Sequence, residues 1–219
     1  MGGLFLEEWQ LYADSCGFKI KSSHLINSFI SLLKRKSTIA KDLLNAFLSG
    51  ALDYHYDPQI GTGFSVVFKE KVKIIRLNDT VELTKSEFLE ILAVVDALYS
   101  KIYPLGTIVE IDKELLTRDA MEEFPDIDYY YMSIIGQRIS IDNNTYIDYL
   151  ASFYPNGVRG NGVEKPIPLN NHLVKRVIGE GPETPLTKNY ANYLRKEIFS
   201  NGLIPVSYEL WIKGMNNAN

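Results

Sequence analysis

Asp53, His55 and Asp57 alternate through the stretch DYHYD. Alternate side chains of an extended chain share a face, so two carboxylates and an imidazole could converge there on zinc or manganese. The same residues also read as an exposed loop running into Pro58, the commoner identity of so short a polar cluster. The segment is taken as a loop, and no metal or cofactor is expected. Cys16 and His24 could pair as a thiol and its base, but they fall on separate predicted helices with no third group, so Cys16 reads as a small buried thiol. His172, in NNHLVKR, reads as a helix-start residue whose neighbours cap free N–H groups. GTGFS and NGVRGNG are rich in glycine. Neither carries the Lys-Ser/Thr of a phosphate loop nor the strand–glycine–helix order of a dinucleotide fingerprint, and both read as turns. No catalytic residues are assigned, and the chain is read as non-enzymatic.

The stretch EEFPDIDYYY offers a different chemistry. Tyr129, Tyr130 and Tyr131 present large amphipathic surfaces at small entropic cost, and Glu122, Glu123, Asp126 and Asp128 would select a basic patch. These seven residues form the expected partner-binding set. Strand alternation requires at least one of the three tyrosines to point into the core.

Elements must position these groups, and 219 residues with 46% hydrophobic content suffice to bury a substantial core. Twenty-seven acids against 23 bases give a formal charge of -4, so no cationic excess is available for a nucleic-acid backbone. A single cysteine makes no internal disulfide and fits a reducing compartment. Glu7 and Glu8 interrupt the N-terminal apolar run, and Leu6 stands where a myristoylation motif needs Ser or Thr. The most apolar stretch, FLEILAVVDALYSKIYPLGTIVEI, is broken by Glu90, Asp96, Lys101 and Pro104. It is too interrupted to span a bilayer, and a soluble, cytoplasmic protein is expected.

The spacing predicts helices through the first fifty residues, the second carrying Leu25, Ile26, Phe29, Leu32 and Leu33 at three- and four-residue intervals. A third starts at a possible Ser37 cap and ends at Gly50. GFSVVFKEKVKIIRLNDTVELT predicts a hairpin turning at Asn78-Asp79. Thr84 and Glu87 have the spacing of a capping box, which opens a helix with one apolar stripe from Phe88 to Leu98. Strands follow at GTIVEI, YYYMSIIGQ and TYIDYLASFY. The last places Ile147, Tyr149, Ala151 and Phe153 on a buried face, with Asp148 and Ser152 on a wet one. Asp142-Asn143-Asn144 predicts the turn between the last two. Beyond the Gly/Pro-rich loop come a short helix or turn at His172 to Val177 and a helix from about Thr187 to Ser200 that buries Tyr190, Leu194 and Phe199. LIPVSYELWIKG reads as a last strand. The fold class is α+β: a helical N-terminal part with hairpin and long helix over 1–101, a mainly antiparallel sheet with flanking helices over 102–214, and a disordered tail at 215–219.

Four segments in order carry a resemblance: YPLGTIVEI (Tyr103 to Ile111), MSIIGQR (Met132 to Arg138), YIDYLASFYPNG (Tyr146 to Gly157) and PIPLNNHLVKRVIGEG (Pro166 to Gly181). They resemble domain-of-unknown-function family 4176, with its Pro-Leu-Gly strand opening, its strand ending in Ile-Gly and its Tyr-Asp-Tyr strand closing on Tyr-Pro-x-Gly. A Phe/Leu-Asn-His opening before Val-x-x-x-Gly completes the pattern. The acidic insert DKELLTRDAMEEFPDID departs from it. Such proteins are encoded in Gram-positive bacteria beside type VII secretion systems and their LXG toxins. The resemblance implies a chaperone or targeting factor for a secreted effector, with a protein partner and no nucleic acid; the alternative is an immunity protein that neutralises a toxin. Type VII substrates carry a Tyr-x-x-x-Asp/Glu signal after a helical hairpin with Trp-x-Gly. Tyr193 and Glu197 have that spacing, but Trp9 and Trp211 stand in other contexts, so the pair reads as a surface helix pair.

Overall fold

A computed structural model describes residues 7–116, 130–157 and 165–217. The described residues form an α+β fold with six α-helices and two antiparallel sheets. The chain divides into two compact units: residues 1–100 with 198–219, and residues 101–197. The C-terminal segment therefore belongs with the N-terminal unit and not with the sheet domain that precedes it.

In the first unit α1 (Glu8–Ser15), α2 (His24–Arg35) and α3 (Ser37–Leu48) precede a four-stranded meander. The Ser23 side chain caps α2 by accepting from the Ile26 N–H at 3.2 Å, and Lys34 and Arg35 sit at its C-terminal end, where the helix dipole favours cations. Lys36, not Ser37, occupies the N-cap of α3. The meander runs β1 (Asp53–Tyr56), β2 (Phe64–Phe68), β3 (Val72–Arg76), β4 (Asp79–Leu83) in sheet order. The expected hairpin is thus part of a larger sheet. Its β3–β4 turn centres on Leu77 and Asn78, because Asp79 already pairs with Arg76.

The capping box at the start of α4 (Lys85–Tyr99) forms as its spacing predicts: Thr84 N–H donates to Glu87 Oε2 at 2.7 Å and Glu87 N–H to Thr84 Oγ1 at 3.1 Å. The single apolar stripe does not describe this helix. Phe88, Leu89, Ile91, Leu92, Ala93, Val94 and Ala97 are all at 0% exposure, which makes α4 a central helix buried all round. Phe47, Phe68 and Phe88 pack there with ring centroids 5.4–5.6 Å apart.

In the second unit β5 (Ile108–Ile111), β6 (Tyr131–Ser140), β7 (Thr145–Phe153), β8 (Ile167–Leu169) and β9 (Val174–Gly179) pair in the order β7-β6-β5-β9, with β8 also on β7. The four quoted segments are these strands and their turns. Pro104, Leu105 and Gly106 make the turn into β5, where Gly106 takes φ 81° and the Pro104 carbonyl accepts from Thr107 N–H and Oγ1. Gly181 closes the last segment, and a Cβ there would lie 2.2 Å from the Leu105 carbonyl oxygen. Asp142 Oδ1 accepts from Asn144 N–H, Thr145 N–H and Thr145 Oγ1 at 2.7–2.9 Å, the predicted Asx turn.

Further sequence readings are corrected in the C-terminal third of the chain. The helix or turn expected at His172 to Val177 is a one-turn 3-10 helix (Asn171–Leu173) followed by strand β9, whose register against β5 is shifted and whose Val174 and Val177 both pack on the core. LIPVSYELWIKG contributes only a two-residue strand, β10 (Ile204–Pro205), and then α6 (Val206–Asn217). Residues 215–217 of the expected tail are the last turn of that helix. The preceding α-helix, α5 (Pro185–Asn201), covers the predicted span and buries Leu194 as expected but leaves Tyr190 exposed.

Candidate functional site

Of the expected partner-binding set, Glu122, Glu123, Asp126, Asp128 and Tyr129 lie outside the described residues. Tyr130 is withdrawn from it, because at 3% exposure it belongs to the core. Its ring packs 6.3 Å from that of Phe153, with Lys113 Nζ 4.3 Å above it. Alternation gives the reason: residues 130, 132 and 134 share the inward face of the sheet. Tyr131 points the other way and stays half-buried opposite Glu110. The Glu110 carboxylate is nearly enclosed and accepts from Arg176 Nε at 2.6 Å.

Asp53 to Tyr56 form an edge strand, and Asp57 stands in the loop that follows it. On β1, His55 Nδ1 lies 2.9 Å from Ser65 Oγ across the ladder, and Nε2 lies 3.5 Å from Asp53 Oδ1. The residue types are those of a serine–histidine–aspartate relay, but the two ring nitrogens face the opposite partners from those of such a relay, and more than half of the His55 and Asp53 side-chain surface is exposed. Relay chemistry gains its strength from a desolvated site, which this row does not provide. Among the described residues, no group of three His, Cys, Asp or Glu side chains is placed to hold a metal.

Cys16 is half-buried against the Gly202 carbonyl, and burial pushes its thiol pKa up to about 11, away from nucleophilic use. His24 is exposed in the first turn of α2, and His172 is half-buried in the 3-10 turn. The GTGFS glycines belong to the β1–β2 connection. Most of NGVRGNG lies outside the described residues.

The opening of β7 departs most from the sequence reading. Its expected wet face is dry: Asp148 is at 0% exposure and Ser152 at 4%, so the strand is covered on both sides. Asp148 survives there because Arg138 Nη1 donates to its Oδ1 at 2.6 Å, with neither side chain exposed. Arg138 Nη1 also donates to the Tyr146 hydroxyl, and the guanidinium lies over the Tyr146 ring. The second carboxylate oxygen accepts from Asn171 N–H at 2.9 Å, tying β7 to the turn before β9. Arg138 adopts φ 46°, rare for a residue with a Cβ, next to the bulge at Ile134 and Gly136. Tyr149, fully buried beside this pair, accepts from Tyr103 N–H at 3.2 Å and donates to the Lys101 carbonyl at 3.0 Å. Burial pushes its pKa strongly upward, so it remains a hydroxyl donor. These polar groups are structural, holding β6, β7 and the chain before β5 in one arrangement.

The exposed chemistry is on α5. Leu194 and Ile198 are its buried residues, at 4% and 2% exposure. Tyr190, expected inside, is 51% exposed, Tyr193 is 58% exposed and Leu186 is 77% exposed. Leu186, Tyr190, Tyr193 and Glu197 follow the i, i+4, i+7, i+11 spacing that stacks side chains along one helix face. The two tyrosine rings stack at 6.1 Å with an interplanar angle of 16°. Exposed Lys196 and Glu197 give this aromatic ledge a charged border. Leu194 is buried as expected and Phe199 is half-buried against the Tyr12 ring, whereas Tyr190 falls on the solvent side of the helix.

Among protein-family models, curated proteins and solved structures, nothing matches the chain. Among the described residues no helix is long and apolar enough to cross a membrane.

Proposed function

We propose that the protein is a non-enzymatic accessory protein that holds a helical segment of a protein partner on the α5 ledge. The observation that carries this reading is the row Leu186, Tyr190 and Tyr193, exposed at one-helix-face spacing where a monomer needs no aromatic surface. Tyrosine supplies large contact area with few rotatable bonds, and an i, i+4, i+7 row matches the ridges of a second helix laid against it. Lys196 and Glu197 at its border would set the partner's orientation through charge.

The motif resemblance over Tyr103 to Gly181 favours one partner, the helical N-terminal export fragment of a type VII-secreted, LXG-type effector. The protein would then act as its chaperone or targeting factor. Co-expression with the separate export and toxin fragments of such an effector, followed by size-exclusion chromatography, tests this. Co-elution with the export fragment is expected. Tyr190→Ala and Tyr193→Ala should each weaken that complex by about 2 kcal/mol, the scale of a hot-spot aromatic. A complex with the toxin fragment alone would make the protein an immunity factor. Unchanged binding in folded variants would remove the ledge from the interface.

A further inference from the structure

Beside this ledge α5 presents a second face of different chemistry. Lys188, Asn192 and Arg195, again at i, i+4, i+7, line a cavity of about 270 Å³ together with Lys101, Gln137 and Glu183. All of these residues belong to the second unit. Three cations and one carboxylate line the cavity, an excess of positive charge in a chain whose formal charge is -4. Lys101 Nζ meets Glu180 at 2.6 Å and Lys188 Nζ meets Glu183 at 3.4 Å. Both pairs are about half exposed, so they are weak and readily exchanged for a better anion. The Gln137 amide is fixed in the wall, its Nε2 donating to the Tyr103 carbonyl at 2.6 Å.

Arg195 is the most enclosed of the three cations. Burial lowers its pKa, and the neighbouring Arg138 guanidinium adds to the effect. A negative charge in the cavity would offset both. A planar guanidinium fork with two ammonium groups suits a ligand with several anionic oxygens, since Arg binds such groups in a plane while Lys acts as a point charge. The cavity is near the lower end of small-molecule sites, which suits a compact ligand.

We propose that this cavity binds a compact oxyanion carrying two or more carboxylate or phosphate groups, anchored on Arg195 and closed over by Lys101 and Lys188. The proposal is independent of the helical partner assigned to the ledge. Isothermal titration of the full chain with citrate and, separately, pyrophosphate, at constant ionic strength, tests it and separates carboxylate from phosphate ligands. One-to-one saturable binding of at least one of them is expected, weakened about tenfold or more by Arg195→Gln. Lys188→Gln, at a side chain 62% exposed, gives a second reading if the arginine variant fails to fold, and should also weaken binding. Lys213→Gln, at a residue that pairs with Glu209 and does not line the cavity, should leave it unchanged. Absence of binding by both anions up to about 10 mM, or equal weakening in the Lys213 variant, would overturn the proposal.

Discussion

Replacing Asp148 by Ala leaves the Arg138 guanidinium buried with its counter-charge gone. Both side chains are at 0% exposure, so water does not take the place of the carboxylate. Removing one member of a buried pair costs about 3–5 kcal/mol. The Asn171 N–H also loses its acceptor, and an unsatisfied buried donor alone costs roughly 1–3 kcal/mol. These terms overlap, because the turn can relax once the carboxylate is gone. A net loss of about 4 kcal/mol follows, a large part of the ~5–15 kcal/mol that holds a typical domain folded. Trp9 and Trp211 both lie in the other unit, so tryptophan fluorescence is the wrong probe. Hydrogen exchange of the β6 and β7 amides reads the affected sheet directly, and protection should fall by about three powers of ten. The double variant Arg138→Met/Asp148→Leu removes both charges and keeps comparable volume. It should lose far less than the two single changes added together. A loss under about 1 kcal/mol in Asp148→Ala, the range of an exposed pair, would refute the argument, as would additivity in the double variant.

Glu90, on the buried helix α4, accepts from Lys19 N–H at 3.0 Å, and burial pushes its carboxyl pKa above the ordinary 4.5. The folded state therefore holds this proton more tightly than the unfolded one, so the group's contribution grows more favourable as pH falls from neutrality toward 4.5. Glu90→Gln should flatten that part of the urea stability–pH curve, and an unchanged slope would count against the assignment. Cys16, with its thiol pKa raised to about 11, should react slowly with a disulfide reagent at pH 8 and rapidly once the chain is unfolded in urea. Equal rates in the two states would show an accessible thiolate. Gly181→Ala forces a Cβ to 2.2 Å from the Leu105 oxygen and should cost about 1–3 kcal/mol, whereas Gly179→Ala, with open space around it, should cost less. Thermal melting of the two variants compares them, and equal shifts would show that the Leu105–Gly181 approach is not tight.

Local signals in this sequence were read where their physics is local. The Thr84–Glu87 capping box and the Asp142 turn each join groups within three residues, so their types and spacing suffice. The α+β class also follows from periodicity alone, because helical and strand patterns occupy separate stretches. Failures arose where a side chain's role depends on a distant strand or helix. VSYELWIKG contains β-branched and aromatic residues and reads as a strand, yet its Tyr208 is buried from a helix. Asp148 alternates with apolar neighbours and was placed in water, since nothing nearby discloses that Arg138, ten residues back on the next strand, neutralises it in the core.

The candidate sites divide the same way. Tyr130 lost its place in the expected contact set because the sheet turned it inward, and Tyr190 stays exposed on the side of α5 away from Leu194 and Ile198. The sequence alone determined which segments could be helices, strands and turns, since hydrogen bonding and backbone preference act between near neighbours. Which polar groups became structural and which tyrosines stayed exposed was decided only in three dimensions, because burial is a property of what packs against a residue and not of the residue itself.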